Sequence, residues 1–340
     1  MAKGNKKKVY CGIGGQAVLE GIMMKNGEHY SVAVRKPDKE IEVDVDNYQG
    51  ILKGSKLTKI PFVRGVINFI DSLILGMRTL NYSAEFYVDE SAGDTTHSPS
   101  PDSDKVTDIK AKDYKKNNEG AGITTLTGVI AVVIALGLFM VLPVYLTKLV
   151  SADIRNDSLV ALIEGGIRLG VFLIYIVAIS LMQDIKRVYM YHGAEHKCIN
   201  CIERGRPLNV ANVKRSSRLH KRCGTSFLLF VVFVSIIVFF FIRVDNMALK
   251  VVIRIALIPV IAGISYEVLR LAGRYDNFLM SIISAPGMLL QRLTTREPDD
   301  DMIEVAIAAV EAVFDWKKFL LDEFEYDYSE WNPDEAEQEE

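Results

Sequence analysis

Cysteine is scarce in this sequence, and its scarcity excludes a fold held together by disulfides. Four of the 340 residues are cysteines, and three of them lie in a segment rich in lysine and arginine, as cytoplasmic loops are. The N-terminus, residues 1–9, is rich in lysine but lacks the apolar stretch of a secretory signal. We therefore expect neither a disulfide framework nor a cleavable signal peptide.

The chain also lacks a strong net charge and a phosphate-binding loop. Its 40 lysines and arginines nearly balance its 43 aspartates and glutamates, which leaves a net charge of −3. The pattern GxxxxGK[ST] is absent, although Gly14-Gly15 would permit a close backbone approach to a partner or ligand. Specific nucleic-acid binding and nucleotide binding are therefore not expected.

Apolar residues, by contrast, are abundant and lie in long runs. They make up 49% of the chain, and the mean hydropathy is +0.17, which is typical of a membrane protein. An apolar helix needs about 20 residues to cross a hydrocarbon core of about 30 Å. Four runs approach or exceed that length: 123–146, 159–182, 227–242 and 251–271. The sequence predicts an α-helical polytopic membrane protein with about four transmembrane helices.

Basic residues predict the orientation of these spans. Residues 184–225, between the second and third spans, contain ten lysines and arginines, whereas the other two connections, 150–158 and 244–249, contain Arg155 alone. The positive-inside rule then places residues 184–225 and both termini in the cytoplasm, in a multi-pass protein of the cell membrane. The lipid bilayer is the first expected partner, and other membrane proteins or further copies of this chain are candidates.

Before the first span the sequence predicts three units. Residues 1–60 contain alternating blocks over 16–48, separated by Asn26-Gly27 and Pro37-Asp38, which predict a small antiparallel β-meander. Residues 61–88 carry apolar side chains at helical spacing and predict an amphipathic helix, lying in the membrane surface or packed on the meander. Residues 89–122 are almost entirely polar and predict a disordered linker.

After the last span, residues 273–321 predict two surface elements. The apolar run 278–293 is broken by Pro286-Gly287, which favours a surface or re-entrant hairpin over a crossing. Acidic residues 299–301 then mark a helix N-terminus, and an amphipathic helix is expected over 303–321. The acidic tail, 322–340, is assigned no function.

Histidine and cysteine cluster in the segment from His192 to Cys223. This segment contains three of the five histidines and three of the four cysteines. In a helix, His192 and His196 would lie one turn apart on one face, and two imidazoles at that spacing can bind one metal ion. Glu195 completes the order H-x-x-E-H, in which the glutamate serves as general base. We therefore predict a site for a divalent metal, zinc by preference, with Glu195 as the base or as a partner that orients an imidazole.

The sequence leaves the remaining ligands open. His220, Cys223 and Glu267 are candidates for a third ligand, because each is expected near the cytoplasmic boundary of the membrane. A competing arrangement groups Cys198 and Cys201 with His220 and Cys223, at spacings typical of a closed structural zinc site. The cysteines could also be small apolar fillers of a core.

Two charges inside the second predicted span have a structural explanation. Glu164 and Arg168 are four residues apart, in the order that favours an intrahelical ion pair, and Arg254 is another expected partner. We do not interpret them as a transport path, and the absence of internal repeats argues against a secondary transporter.

Several blocks of sequence resemble the YqhQ family, a family of bacterial membrane proteins. The matching blocks are GGQAVLEGIMMK at 14–25, AVR at 33–35, Pro61 with Arg64-Gly65, YHGAEHK at 191–197, HKRCGTSF at 220–227, APG at 285–287 followed by Gln291, and TTREPDDDMIEVAI at 294–307. The resemblance covers nearly the whole chain. It implies a membrane protein with metal-dependent enzyme activity.

The resemblance also bears on the choice of ligands. The family motifs include His192, Glu195, His196, His220 and Cys223, whereas the CxxC pair falls outside them. A site built on His192, His196 and His220 is therefore favoured over the four-ligand zinc site.

Two functions are compatible with these residues. The first is a metal-dependent hydrolase in the membrane, with His192, His196, His220 and Cys223 as metal ligands and Glu195 as catalytic residue. The second is a non-enzymatic membrane scaffold or assembly factor, in which the same polar cluster fastens the cytoplasmic segment to the β unit.

Overall fold

The chain is mostly helical, with one small antiparallel sheet near its N-terminus. The computed structural model describes residues 8–88, 128–244, 246–275 and 277–325. The predicted linker, 89–122, the first residues of the first predicted span and most of the acidic tail lie outside the described residues. The helices are α1 Val63–Val88, α2 at 128–136, α3 Leu142–Val150, α4 Asp157–Ser180, α5 Gln183–Glu203, α6 Val210–Lys214, α7 Gly224–Phe240, α8 Met247–Ala256, α9 Ile258–Arg274, α10 Phe278–Thr294, α11 Asp300–Glu311 and α12 Trp316–Phe324.

The sheet contains four strands in chain order, each antiparallel to the next: β1 Gly14–Val18, β2 Gly21–Asn26, β3 His29–Arg35 and β4 Ile41–Asn47. The predicted meander and its turn after Asn26 are confirmed, and Gly27 has a φ of +62°. The strand β1 was not predicted, because its paired glycines look like a turn. The strand β4 is an edge, and Val43 and Val45 are 38% and 51% exposed, so the apolar residues that alternate along it do not face a core.

The sheet separates two layers of helix. On one face Met23, Val32 and Val34 pack with Leu75 of α1. On the other face Ile22 and Met24 join a larger core made with α5, α11 and α12. Each fully buried aliphatic side chain contributes about 1.5–3 kcal/mol, so both faces stabilise the layered arrangement.

Helix α1 is the predicted amphipathic helix, and it extends to Val88. Of the two expected arrangements, in the membrane surface or on the meander, it adopts packing on the sheet, with Leu75 2% exposed. It also reaches α9, where Arg64 Nε donates to Glu267 Oε1 at 2.7 Å. A stripe of apolar side chains nevertheless remains at the surface: Ile70, Leu73, Ile74, Met77 and Leu80.

The described residues contain two helices that are long and apolar enough to cross a membrane, or three if a bent pair counts as one span. The first, Gly128–Val150, comprises α2, a π turn at Gly137–Val141 and α3; the second is α4. The bent pair is α8 and α9, which meet at an angle of 45°. Helix α7 is apolar but has 17 residues, fewer than an ordinary span.

Three segments differ from the sequence prediction. Residues 184–225 are not a loop: they contain α5, which begins after a break at Leu181-Met182, and α6. Residues 278–294 form one helix that contains Pro286, so the expected hairpin is wrong. The single helix expected over 303–321 is two helices, because Asp315 accepts a hydrogen bond from the Lys318 amide and caps a new helix, α12.

Candidate metal centre

Helix α5 carries most of the candidate site, and its second half is enclosed by protein. Every residue from Gly193 to Glu203 is buried. This stretch includes polar residues such as Glu195, His196 and Asn200, and buried polar groups are costly unless they have partners. The contacts of these side chains therefore define what the site can do.

Three donor atoms converge at the start of this buried stretch. Side-chain donor atoms of His192, His196 and Cys223 lie within 4.8 Å of one another. The Nε2 atom of His192 is 3.2 Å from Cys223 Sγ. The predicted one-turn spacing of the histidines is confirmed, with ring centroids 4.4 Å apart. Cys223 is the N-cap of α7, where its sulfur accepts a hydrogen bond from the Thr225 amide at 3.4 Å.

Both imidazoles are held through their other nitrogen. His192 Nδ1 lies 2.9 Å from the carbonyl oxygen of Thr294, and His196 Nδ1 lies 2.6 Å from that of Arg218. A carbonyl oxygen can only accept, so each Nδ1 carries a proton and donates it. Each Nε2 is then the nitrogen that faces the cluster. Histidines that bind metals are oriented in this way, by an N–H···O=C bond on the side away from the metal.

Close packing brings the Thr294 carbonyl to α5. The chain from Thr294 to Arg296 passes directly over Gly193, where a Cβ would overlap the carbonyl oxygen of Arg296. The Arg296 amide donates to the carbonyl oxygen of Tyr189 at 2.8 Å. A glycine at 193 is therefore required for the contact that orients His192.

Polar side chains of α5 hold the Arg218 carbonyl in place. Lys197 Nζ donates to the carbonyl oxygens of Lys214 and Ser216 at 2.8 and 3.0 Å. Asn200 Nδ2 donates to those of Ser217 and Leu219 at 2.7 and 3.0 Å. The segment 214–219 is thus fixed along the helix face that carries His196.

Glu195 lies beside the cluster and in contact with the sheet. Its Oε2 atom is 3.6 Å from His196 Nε2 and 3.9 Å from His192 Nε2. The backbone N–H of Gly15 acts to lower the pKa of this carboxyl, and a Cβ at Gly15 would lie 2.8 Å from Glu195 Cγ. The paired glycines therefore allow the backbone of β1 to lie close to the Glu195 side chain.

The charges of these groups depend on one another. Burial acts to raise the pKa of the Cys223 thiol, but His192 and His196 lower it well below its usual value. Burial acts to lower the pKa of His192, but Cys223 and Glu195 raise it to about 9. Burial raises the pKa of the Glu195 carboxyl, against the opposing effect of His196 and His192. Without a metal ion the site therefore favours a Cys223 thiolate beside a protonated His192, and a metal ion that displaced this proton would meet donor atoms of all three side chains.

His220 lies close to this cluster but faces another group. Its ring centroid is 5.7 Å from that of His196, whereas its Nε2 is 3.3 Å from Glu203 Oε2. Gln291 bonds both the N–H and the C=O of His220, at 2.8 and 2.7 Å. Burial lowers the pKa of His220 to about 4, even though Glu203 acts to raise it. The expected third ligand is therefore turned away from the other two.

The remaining candidates lie elsewhere. Cys198 and Cys201 are buried in the core, where burial raises the pKa of both thiols, that of Cys201 to about 12. Glu267 is paired with Arg64. Within the described ranges, His192, His196 and Cys223 are the one group of three such side chains whose donor atoms converge. The four-ligand arrangement with Cys198 and Cys201 is not assembled.

Sequence reasoning missed Glu203, the buried partner of His220. Its carboxylate also contacts Arg222 and lies 3.1 Å from Lys8 Nζ. Burial acts to raise the pKa of this carboxyl, but His220, Arg222 and Lys8 lower it to about 2. The spacing of His196, Asn200 and Glu203 on one helix face could have indicated it.

Fold and site together define a helical protein with a small N-terminal sheet, apolar helices of membrane-spanning length and a buried cluster of two imidazoles and a thiol. The chain belongs to the YqhQ family: the family model described as a protein of unknown function (DUF1385) matches residues 60–316. The chain is 36% identical over 305 residues to the uncharacterized protein YqhQ of Bacillus subtilis (strain 168). The aligned region covers 89% of this chain and 92% of that protein. No solved structure matches.

Proposed function

We propose that this chain is a multi-pass membrane protein whose cytoplasmic side carries a divalent metal centre with hydrolase activity. The observation that carries the proposal is the convergence of His192 Nε2, His196 Nε2 and Cys223 Sγ, with both Nδ1 protons donated away from the cluster. Without a metal ion, a proton on His192 compensates the Cys223 thiolate; a divalent cation would replace that proton and bind all three donor atoms at once.

Four spans account best for the apolar helices. They are α2 with α3, α4, α7, and the bent pair of α8 and α9. Helix α7 has 17 residues and a length of about 26 Å, close to the thickness of a hydrocarbon core. The basic residues of 184–225 favour the cytoplasm for α5 and both termini. The metal centre would then lie at the cytoplasmic boundary, since Cys223 immediately precedes α7.

The geometry suits zinc. Ligands at about 2.0 Å for nitrogen and about 2.3 Å for sulfur lie about 3.5 Å apart around a tetrahedral ion, and the His192–Cys223 separation is 3.2 Å. Three protein ligands leave one tetrahedral position open, as in catalytic rather than structural sites. Zinc in such a site acts as a Lewis acid towards a carbonyl or phosphoryl oxygen.

The protein groups would have distinct roles. His192, His196 and Cys223 hold the ion, and the carbonyl oxygens of Thr294 and Arg218 orient the imidazoles. Glu195 is placed to accept a proton from an attacking water, because its carboxylate borders the Nε2 atoms without occupying the position between them.

Elemental analysis of the detergent-purified full chain tests this proposal. We expect about one zinc per chain in the wild type, and its loss in Cys223→Ser and in the double variant His192→Ala, His196→Ala. Cys201→Ser is the matched control, because this thiol lies outside the cluster and should leave the metal in place. A well-folded wild type that takes up no metal from zinc-containing buffer would contradict the proposal.

Chelation separates the enzyme from the non-enzymatic scaffold. A protein that stays folded after zinc removal supports a catalytic centre, whereas one that melts supports a structural ion.

A second function is favoured by one contact. Without a metal, Cys223 and His192 would form a thiolate–imidazolium pair at a helix N-terminus, which is the arrangement of a nucleophilic cysteine. Metal-free wild type in which iodoacetamide modifies Cys223 faster than Cys201 would support this function. Zinc that protects Cys223 from alkylation would support the metal centre instead.

A further inference from the structure

A second buried charged cluster lies among the apolar helices, away from the candidate metal centre. Glu164 of α4 pairs with Arg168 at 2.9 Å and with Arg254 of α8, and all three side chains are at most 4% exposed. Both guanidinium groups contact the ring of Phe239, at 4.6 and 4.8 Å from its centroid. Phe239 lies 16 residues after Cys223 along α7, so about 24 Å separates the two clusters.

The charges in this cluster do not balance. One carboxylate faces two guanidinium groups, and arginine remains protonated even when it is buried. Lys250 Nζ lies 3.2 Å from Glu164 Oε2 and adds a third cation at the edge, with 23% of its side chain exposed. The buried part alone carries an excess positive charge, which is strongly unfavourable among apolar helices without a compensating anion.

Unsatisfied donors lie beside a small cavity in the same place. Within the part of the chain that the structure describes, the Nε–H groups of Arg168 and Arg254 have no acceptor. A cavity of about 10 Å³ is lined by both arginines, Glu164, Phe239 and Ile236. This volume holds about one water-sized particle. Water in the cavity would satisfy the donors but would leave the excess charge uncompensated.

We propose that this cavity binds a small monatomic anion of the size of chloride, between Arg168 and Arg254. The net charge of the cluster requires an anion, and the size of the cavity excludes phosphate and lipid headgroups unless side chains move. Glu164 competes with the anion for the same guanidinium groups, because it already pairs with both. The anion site does not depend on the metal centre.

Thermal unfolding of the detergent-purified full chain tests the proposal. The midpoint, Tm, is compared in sodium chloride, gluconate and phosphate at equal ionic strength, and in micelles doped with phosphatidylglycerol. We expect chloride to raise Tm saturably, by a few degrees relative to gluconate. Phosphate and phosphatidylglycerol should have no comparable effect.

Two variants separate an anion site from an ordinary ion pair. Glu164→Gln removes the competing charge, so its half-saturating chloride concentration should fall at least about tenfold, and chloride should restore most of its lost Tm. Arg168→Gln should abolish the chloride response. Arg243→Gln is the matched control, because Arg243 is an exposed cation near the same helix ends that hydrogen-bonds Ser158.

The proposal is overturned if chloride has no saturable effect on the wild type, or if Arg168→Gln responds as the wild type does. A larger response to phosphate or phosphatidylglycerol would also overturn it, in favour of an oxyanion or lipid site. If Glu164→Gln and Arg168→Gln do not fold in any salt, the comparison of chloride with gluconate, phosphate and phosphatidylglycerol on the wild type still decides.

Discussion

The candidate metal centre and the arginine cluster have opposite electrostatic surpluses. In the first, the Nδ1 protons are donated outward, so the Nε2 atoms of both imidazoles face the Cys223 sulfur. In the second, guanidinium N–H groups outnumber the oxygens that could accept from them. This difference is the reason why we propose a cation for the first cluster and an anion for the second.

The largest expected effect is that of Gly193→Ala, which should disrupt the metal centre alone. The added methyl group would overlap the Arg296 carbonyl and displace the chain that orients His192. We expect a loss of about 3 kcal/mol or more in unfolding free energy, measured by thermal or denaturant unfolding, together with loss of bound zinc.

Gly166→Ala in α4 is the control, because nothing lies within 4 Å of the position that its Cβ would take and alanine favours a helix. The comparison fails if both alanine variants have the same stability and metal content, or if Gly193→Ala abolishes the chloride response of a protein that is still folded.

Glu203→Gln should have the next largest effect, because it leaves Lys8, His220 and Arg222 without their shared carboxylate. The expected loss is about 1–3 kcal/mol at neutral pH, with zinc retained. Zinc lost from a folded variant would show that His220 and Glu203 belong to the metal centre after all.

The difference in unfolding free energy between wild type and Glu203→Gln should depend on pH in one direction. Against the effect of burial, the partners of Glu203 hold its pKa at about 2, below the usual value of 4.5, so its stabilising effect is complete above pH 4.5. It is lost as the pH falls towards 2. The gap in unfolding free energy between wild type and Glu203→Gln should therefore be constant near neutrality and close in acid. A gap that widens below pH 4.5 would contradict the assigned contacts.

A smaller effect is expected from Gly15→Ala, which alters the sheet contact of Glu195. The methyl group would press on Glu195 Cγ and on the Met23 carbonyl oxygen, at 2.8 and 2.7 Å. We expect zinc affinity to fall about tenfold, as for other changes to groups that support a metal ligand, measured by competition with a chelator. Gly14→Ala, which has nothing within 4 Å, should bind zinc as the wild type does.

The smallest expected effect is the coupling between the two clusters. Cys223 lies about 24 Å along α7 from Phe239, which contacts the arginine cluster that contains Glu164, and changes at such distances add to within about 0.5 kcal/mol. The changes compared are Cys223→Ser and Glu164→Gln. A double-variant cycle of unfolding free energies measures this directly. A larger coupling would mean that the two ends of the apolar helices respond to each other.

Local chemistry made part of the site predictable. The i, i+4 spacing of His192 and His196 and of Glu164 and Arg168 needs only a helix, and both pairs are confirmed. The Asn26-Gly27 turn likewise depends on its own residues. The family resemblance, carried by motifs around His192 and His220, is confirmed as well.

Tertiary packing decided what could not be predicted. Whether His220 or Cys223 completes the cluster depends on the path of the chain after α6, which Lys197 and Asn200 fix through backbone carbonyls. Carbonyl groups have no sequence pattern, so the roles of Thr294 and Arg218 were invisible. Pro286 within α10 and the break in the helix after α11 show that long-range contacts and capping override a simple periodicity.

The sheet and α11 come from opposite ends of the chain. Their contact therefore determines how early in synthesis the core between them can form. The Ser31 hydroxyl donates to the carbonyl oxygen of Ala309, 278 residues later, at 2.6 Å. During synthesis the first strands must wait for almost the whole polypeptide before their apolar face is covered. His192 also cannot be oriented until late in synthesis, because the carbonyl that accepts its Nδ1 proton belongs to Thr294. No nascent fragment that ends before Thr294 can therefore orient His192, so in the proposed metal centre loading would be one of the last steps of biogenesis.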